Sequence, residues 1–590
     1  MFIQIYRLFQ VLNRWKSKYF FAAFLLILSF VMLSLEPRIL QFAVDRVVAF
    51  YYQGNAIASP PNDLISQTLE SLLPGLSENA PWIVLLGLAG IYVLLASLRG
   101  TLTLVASAQS AGATEGALKE MRDGLFRHIQ RLPLSFFTTM SRGELIQRST
   151  GDLVTVGNFL GTQVVEVVRL TAIFGFSVVM MLILDPLYTF WAVCLTPIAL
   201  ILSLIFFQKE RVVWEAHEKE SDLLNAKIQE NLNGIRVVKA LSEEEGEKVR
   251  FDEQNRRKLA VALRHVRLHS FFWPATDILI GIQMIIVILY GGYRTFSGQL
   301  SIGELMSFYS YALLTTWPMR HIGQTLSQMG MAVVAMERLH EVLSSPEENL
   351  DGDFPDAPVV GEIEFRKVTF SYHPGETPNI LENLSFRIRP GEIVALVGPT
   401  GSGKSTIINL LLGLYEPQSG EILIDGRFIH TYSRRYLREQ IGVVLQTPFL
   451  FSTTIRENVA YTANDPENTD IDWATAVAQA DRLREVLEDG FDTVVGEKGV
   501  TLSGGQKQRV ALARTLLKAA PVLVLDDVTS AVDTGTEQAI FRGLADFLYG
   551  KTTILISHRI TSLQPAGRLL VLGDGRIVQD GSPEALQRVP

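Results

Sequence analysis

The sequence predicts two domains of different class: a membrane α-helical six-span domain with long cytoplasmic helical extensions, fused to an α/β P-loop domain. Three observations predict it. Long uncharged apolar runs crowd the first 335 or so of 590 residues. Basic helix-forming segments separate those runs. Behind them, short apolar strands alternate with helical stretches, and one strand leads into Gly398-Pro399-Thr400-Gly401-Ser402-Gly403-Lys404-Ser405-Thr406. At 590 residues the chain is too long for one ordinary domain.

Six segments are long and apolar enough to cross a bilayer. They centre on Tyr19–Leu35, Trp82–Leu98, Val164–Leu184, Leu187–Phe207, Phe271–Tyr290 and Ile302–Leu326. The last is the least hydrophobic and rests on position as well as hydropathy. Residues 51–80 contain Asp63, Glu70 and Glu78 but no Lys or Arg. Segment 106–161 carries Lys119, Arg122, Arg127, Arg131, Arg142 and Arg148, and segment 209–267 is more basic still. Positive charge marks the cytoplasmic side. The N-terminus, both basic segments and everything after the sixth span are therefore expected inside, with residues 51–80 and the Asp185-Pro186 turn outside. The single cysteine, Cys194, excludes an intrachain disulfide, and a net charge of −8 gives no sign of a nucleic-acid partner.

The basic segments are rich in Ala, Leu, Glu, Lys and Gln and read as helices that continue the spans tens of ångströms into the cytoplasm. Phe136-Phe137 with Gly143-Glu144-Leu145, and Asn233-Gly234, break the pattern and mark reversals at the tips. Residues 344–360 are acidic and Pro-rich, a composition that suits an exposed linker. The domain limits follow: 1–340 membrane, 341–360 linker, 361–590 α/β with a mainly parallel sheet.

Residues 398–405 fit G-x-x-x-x-G-K-[ST] between the strand Ile393–Val397 and a helix beginning near Lys404. In that context backbone N–H groups cradle phosphate oxygens, and the helix N-terminus adds positive partial charge. Lys404 can reach the outer phosphates and Ser405 can ligate Mg²⁺. Val522–Asp526 is a buried strand ending in the carboxylate expected to organise that metal. Asp527 follows, where an acid can orient or deprotonate water. Gln446 and His558 end two further apolar strands. Leu502-Ser503-Gly504-Gly505-Gln506 opens a helix. An anion site and a structural cap both explain that run.

As a set, these runs resemble the ATP-binding-cassette transporters. Tyr372 matches the aromatic that stacks on adenine, 398–406 match Walker A, and Gln446 matches the Q-loop. Gly496-Glu497-Lys498-Gly499 matches the exporter X-loop, 502–506 the signature, and 522–526 Walker B. Ser530–Asp533 resembles the D-loop, and His558 the switch histidine. The resemblance implies a P-loop ATPase domain that binds ATP and Mg²⁺. Tyr372, Gly398, Thr400, Gly401, Ser402, Gly403, Lys404, Ser405 and Thr406 would hold nucleotide at one face. Ser503, Gly504, Gly505 and Gln506 would hold it at the other. Ser405, Gln446 and Asp526 would serve the metal, with Asp527, His558 and Gln446 catalytic. Six spans ahead of one cassette resemble the multidrug- and lipid-exporter half-transporters. That layout implies a second half-transporter as partner, an amphipathic or lipid-like substrate, contact with membrane lipid, and residence in a bacterial inner membrane.

One departure stands out. The family places Glu after the Walker B aspartate, and this chain has Asp527, which resembles the degenerate-site half of a heterodimeric exporter. A homodimer in which Asp527 works more slowly is the alternative to the heterodimer, and import by the same architecture and an ATP-gated channel or regulatory membrane ATPase are the alternatives to export. Tyr309, Tyr311, Thr315, Thr316, Trp317, Arg320, His321, Gln324 and Gln328 put polar groups at membrane depth in the sixth span. They are expected to face a substrate path or neighbouring helices. Asp277 in the fifth span is expected to contact substrate or to pair with a cation on a neighbouring helix.

Overall fold

A computed structural model describes residues 2–51, 67–68, 81–463, 470–496, 499 and 501–583. The predicted outer segment 51–80 lies almost wholly outside the described residues, as do Glu497 and Lys498 of the Gly496–Gly499 run. The chain divides into two compact units, Met1–Gln130 with Arg142–Ser345, and Arg131–Ser141 with Pro346–Pro590.

The first unit is helical. Its main elements are α1 (Phe2–Gln10), α2 (Lys16–Tyr51), α3 (Pro81–Ile129), α4 (Val164–Leu184), α5 (Pro186–Val193), α6 (Thr196–Asn233), α7 (Glu244–Phe296) and α8 (Ile302–Leu343). Five helical stretches among the described residues are long and apolar enough to cross a membrane. The sixth predicted span is also one unbroken helix, within α8. Its Ser, Thr, Tyr, Arg and His side chains dilute its apolar content. Phe20, Leu94 and Leu289 are 69%, 70% and 68% exposed. Apolar surface on that scale suits a lipid solvent rather than water.

Length separates membrane from extension. At 1.5 Å per residue, the 53 residues of α7 run about 80 Å, against a hydrocarbon core of about 30 Å. The predicted tips are reversals: α3 ends at Ile129 and a helical run restarts at Arg142, while α6 ends against Gly234. The Asp185-Pro186 turn, expected outside, is built from a cap. The Asp185 side chain accepts from Tyr188 N at 2.8 Å with Pro186 at the first helical position, and Arg294 donates to Asp185 at 2.8 Å. Ser301 and Glu304 form a reciprocal capping box that starts α8.

The second unit holds two sheets. A six-stranded sheet runs β10-β9-β3-β8-β7-β6, with β3 Ile393–Val397, β6 Ile441–Val444, β7 Val522–Asp526, β8 Thr552–Ile556, β9 Arg568–Gly573 and β10 Arg576–Gly581. All its pairings are parallel except β9 with β10. A four-stranded antiparallel sheet runs β2-β1-β4-β5, with β1 Ile363–Phe370, β2 Leu381–Ile388, β4 Ser419–Ile424 and β5 Arg427–Phe428. The mainly parallel sheet is as expected, and the antiparallel one is an addition. Its residues alternate buried and exposed, as in Leu381, Leu384, Phe386 and Ile388 of β2, whereas β7 and β8 are buried at every position. Helices α9 (Lys404–Leu411), α10 (Gly504–Leu517) and α11 (Thr534–Leu548) complete the parts used below.

Candidate active site

Register brings the predicted residues together. In the parallel sheet Leu396 pairs with Ile556, Ile556 with Asp526, and Val444 with Leu525. The carboxyl ends of β3, β8, β7 and β6 are therefore level, and the residues that follow them share one edge. Ligands in open α/β sheets bind along that edge. A cleft of about 220 Å³ lies there. Thr400, Gly401, Gly403, Lys404, Ser405, Thr406, Gln446, Asp526, Asp527 and His558 line it, with Ile380 and Ile556 as apolar walls.

The loop before α9 is shaped by its glycines. Gly403 has φ +103°, and a Cβ there would meet Leu381 Cδ2 at 2.6 Å. At Gly398 a Cβ would meet the Leu572 carbonyl oxygen at 2.3 Å. Gly398 and Ser402 do not line the cleft. They shape the loop, and Ser402 N donates to Pro399 O at 3.2 Å. Lys404 Nζ donates to the carbonyls of Gly398 and Pro399, both at 2.8 Å, and lies 3.4 Å from Ser402 Oγ. Burial holds its ammonium below the usual lysine range, against the pull of Asp526.

Asp526 and Asp527 are both buried at the end of β7. Burial first, and then repulsion from Asp527, push the Asp526 carboxyl up to about 6, with Lys404 and His558 opposing. Asp527 takes the left-handed conformation, φ +51°. Its backbone is held on both sides. Its N–H donates to Ile556 O at 2.8 Å, and its carbonyl accepts from Gln508 Nε2 at 3.2 Å and Ser530 Oγ at 3.0 Å. The site residues offer hard oxygen donors, Ser405, Asp526 and Gln446, with Asp527 supplying a second carboxylate beside them. That chemistry fits Mg²⁺.

Tyr372 lies beside the cleft rather than in its lining. Its hydroxyl is 3.3 Å from Thr406 Oγ1 and accepts from Asn409 Nδ2 at 3.1 Å, and its ring packs edge-on against Tyr415. The 503–506 run does not line the cleft either. Ser503 caps α10: its Oγ accepts from Gln506 N at 3.3 Å, and Gln506 Oε1 accepts from Ser503 N at 2.7 Å. A Cβ at Gly505 would meet the Ala531 carbonyl oxygen at 2.6 Å, whereas one at Gly504 meets only Ala531 Cβ at 3.6 Å.

Three residues that carry no motif signal tie these parts together. Gln508 of α10 donates to Ser530 Oγ at 2.7 Å and accepts from Ala531 N at 3.1 Å. Arg559 donates to the carbonyls of Ser530 and Val532 at 3.0 and 2.9 Å and pairs with Glu537 of α11 at 3.2 Å. Glu537, 2% exposed, also accepts from Thr561 at 2.8 Å and from Ser562. Adjacency to Gly504–Gln506 and to His558 was the only available hint for Gln508 and Arg559.

In the first unit, Arg320 bonds Thr276 and Asp277 of α7 and lies over the Trp273 ring, which satisfies it within the helix packing. Asp277 thus has the neighbouring-helix cation that the sequence suggested. Tyr311 is buried with its hydroxyl on Ser34 O at 2.6 Å, and Gln163 donates to Gln328 at 3.0 Å. Trp317, 40% exposed, stacks with Arg169 of α4 at 4.6 Å and His321 at 4.6 Å.

Comparison with known proteins places this architecture. The ABC transporter transmembrane region family matches residues 19–319, and the ABC transporter family matches 381–530. An ATP-dependent lipid A-core flippase of Syntrophus aciditrophicus is 31% identical over 553 residues, covering 93% of this chain and 90% of that one. The Bacillus subtilis protein YgaD, named for multidrug export, is 32% identical over 475 residues, covering 80% and 81%. The structure of a bacterial Atm1-family ABC exporter with ATP bound superposes with a TM-score of 0.78 at 25% identity, covering 98% of this chain and 97% of that one. The chain therefore belongs to the ABC transporter family, as a membrane-spanning half-transporter of exporter architecture that couples its ATPase domain to transport.

Proposed function

We propose that this chain exports amphipathic, lipid-like or drug-like compounds by alternating access as one half of a heterodimer, with its own Walker site weakly hydrolytic. One observation carries the asymmetry. The cleft gathers Lys404, Ser405, Gln446, Asp526, Asp527 and His558, but a shorter acid stands in the catalytic position and Ser503–Gln506 lie elsewhere. A signature run outside its own chain's cleft is available to complete a partner's site. The names of relatives, lipid A-core flippase and multidrug export, support the substrate class.

In this reading Lys404 and the loop amides bind the phosphates, Tyr372 stacks on adenine, and Gln446, Ser405 and Asp526 hold Mg²⁺. The metal neutralises phosphate charge when bound. Asp527 holds the attacking water short of its best position, and His558 contacts the terminal phosphate. ATP binds the closed cassette pair more tightly than the open one, and that difference drives the membrane helices between inward- and outward-open states.

Steady-state ATPase of the purified complex tests it, with subunit composition read by mass spectrometry. Gly504→Asp should nearly abolish turnover, because it damages the partner's site. Asp527→Ala should do much less. If the chain purifies alone as an active dimer and Asp527→Ala kills it, the heterodimer reading fails and Asp527 is the working base. ATP-dependent uphill accumulation in inside-out vesicles separates export from a channel or an importer.

A further inference from the structure

Helices α6 and α7 pack antiparallel along a seam that can be followed rung by rung. Phe206 stacks on Phe272 with centroids 3.8 Å apart, Trp214 and His217 face His265, Gln254 donates to Glu220 at 2.7 Å, and Asn231 donates to Glu247 at 2.8 Å. One stretch of this seam is chemically unlike the rest. Glu210 of α6 and His265 and His269 of α7 each bring one donor atom to within 4.8 Å of the others. His217 adds a third imidazole, its ring 6.4 Å from that of His265.

The donors are sheltered and under-used. His265 Nδ1, His269 Nε2 and His217 Nδ1 are buried atoms with no hydrogen-bond partner among the described residues. His269 Nε2 lies 3.6 Å from Glu210 Oε1, too long for a hydrogen bond. Buried nitrogens without partners carry a desolvation cost that a seam of ordinary packing residues would avoid. The spacing is that of a helical metal clip: His265 and His269 are one turn apart on one face, with a carboxylate from the facing helix.

We propose that Glu210, His265 and His269 form a binding site for a divalent transition metal of the zinc class, with His217 as the adjacent fourth donor. Two imidazoles and a carboxylate select Zn²⁺, Co²⁺ or Ni²⁺ over Mg²⁺ or Ca²⁺. Donors about 2.1 Å from a tetrahedral metal lie roughly 3.4 Å apart. The Trp273 indole donates to His269 Nδ1 at 3.4 Å. Ligation through Nε2 shifts the ring proton to Nδ1 and ends that contact, so Trp273 emission reports occupancy. The metal bridges α6 and α7 outside the apolar spans Leu187–Phe207 and Phe271–Tyr290, where the two helices have become cytoplasmic.

The test is a Co²⁺ titration of the full-length transporter, purified without a polyhistidine tag and stripped of metal. The expected result is saturable binding of one Co²⁺ per chain. It should bring the visible absorption of low-coordinate N/O-ligated cobalt and a change in tryptophan emission, both reversed by Zn²⁺. His265→Gln and His269→Gln should each weaken binding by at least about tenfold, and Glu210→Gln should lower it in the same direction. His340→Gln, remote from the cluster, should leave it unchanged, and ATPase activity in each variant verifies folding. Absence of saturable binding overturns the proposal, as does binding that survives the His265→Gln/His269→Gln double substitution.

Discussion

Asp527→Glu in a Gly504→Asp background isolates the chain's own nucleotide site. In the proposed heterodimer Gly504→Asp would disable the signature this chain lends to its partner, and the 3.6 Å clearance at Gly504 leaves room for the new Cβ. The turnover that remains comes from the cleft containing Asp527. Glutamate extends the carboxylate by about 1.5 Å, one C–C bond. Misplacement of about 1 Å costs roughly 100-fold in rate, or about 2.7 kcal/mol in the barrier. Recovery of up to about 100-fold over Gly504→Asp alone is therefore expected. The same change has a structural cost. Asp527 sits at φ +51°. Aspartate tolerates that region better than glutamate, so the variant should lose about 1 kcal/mol of domain stability. Steady-state ATPase and thermal unfolding of the same preparations read both effects. A rate that stays at the Gly504→Asp level with the expected stability refutes the reach argument. A gain that appears with Asp527→Glu alone but vanishes in the Gly504→Asp background refutes the heterodimer.

Gly505→Ala forces a Cβ to 2.6 Å from the Ala531 carbonyl oxygen and should cost about 1–3 kcal/mol of stability, whereas Gly504→Ala should be neutral or slightly stabilising; differential scanning calorimetry compares the two. Glu537→Ala strips a buried acceptor from Arg559, Thr561 and Ser562. It should cost about 2 kcal/mol and slow ATP turnover more than it weakens nucleotide binding, as a kcat-against-KM comparison would read. Trp317→Ala should change substrate-stimulated ATPase more than basal ATPase; equal effects would make the ring a packing residue for Arg169 and His321.

Legibility followed the locality of the signal. The phosphate loop was readable because strand, glycines, lysine and helix start fall within about a dozen residues. Gln446, Asp526 and His558 were readable as strand ends, since parallel strands in register must deliver their carboxyl-terminal residues to one edge. The antiparallel sheet was missed because its alternation resembles that of any half-buried strand until partners are known. Gln508, Arg559 and Glu537 act through contacts 19 to 29 residues apart, and no spacing rule points to them. The capping role of Ser503 was visible in the sequence but competed there with anion binding. The sixth span was weak by hydropathy because Tyr311 and Arg320 meet partners on other helices, and Thr315 bonds the Ala312 carbonyl of its own helix, so none of them needs lipid.

The Lys404 ammonium has acceptors of its own, the carbonyls of Gly398 and Pro399. An ammonium at the bottom of a cleft without such acceptors would bind phosphate tightly and release it at the cost of stranding a desolvated charge. Here departure of a phosphate returns the amine to two carbonyls, so one set of hydrogen bonds is exchanged for another. The loop also keeps its shape through that exchange, because the lysine ties its beginning to its end. If Lys404 captures phosphate as proposed, the expected kinetic consequence lies in the off-rate: ligand exit meets a smaller barrier, and the resetting half of the cycle is not held back by this lysine.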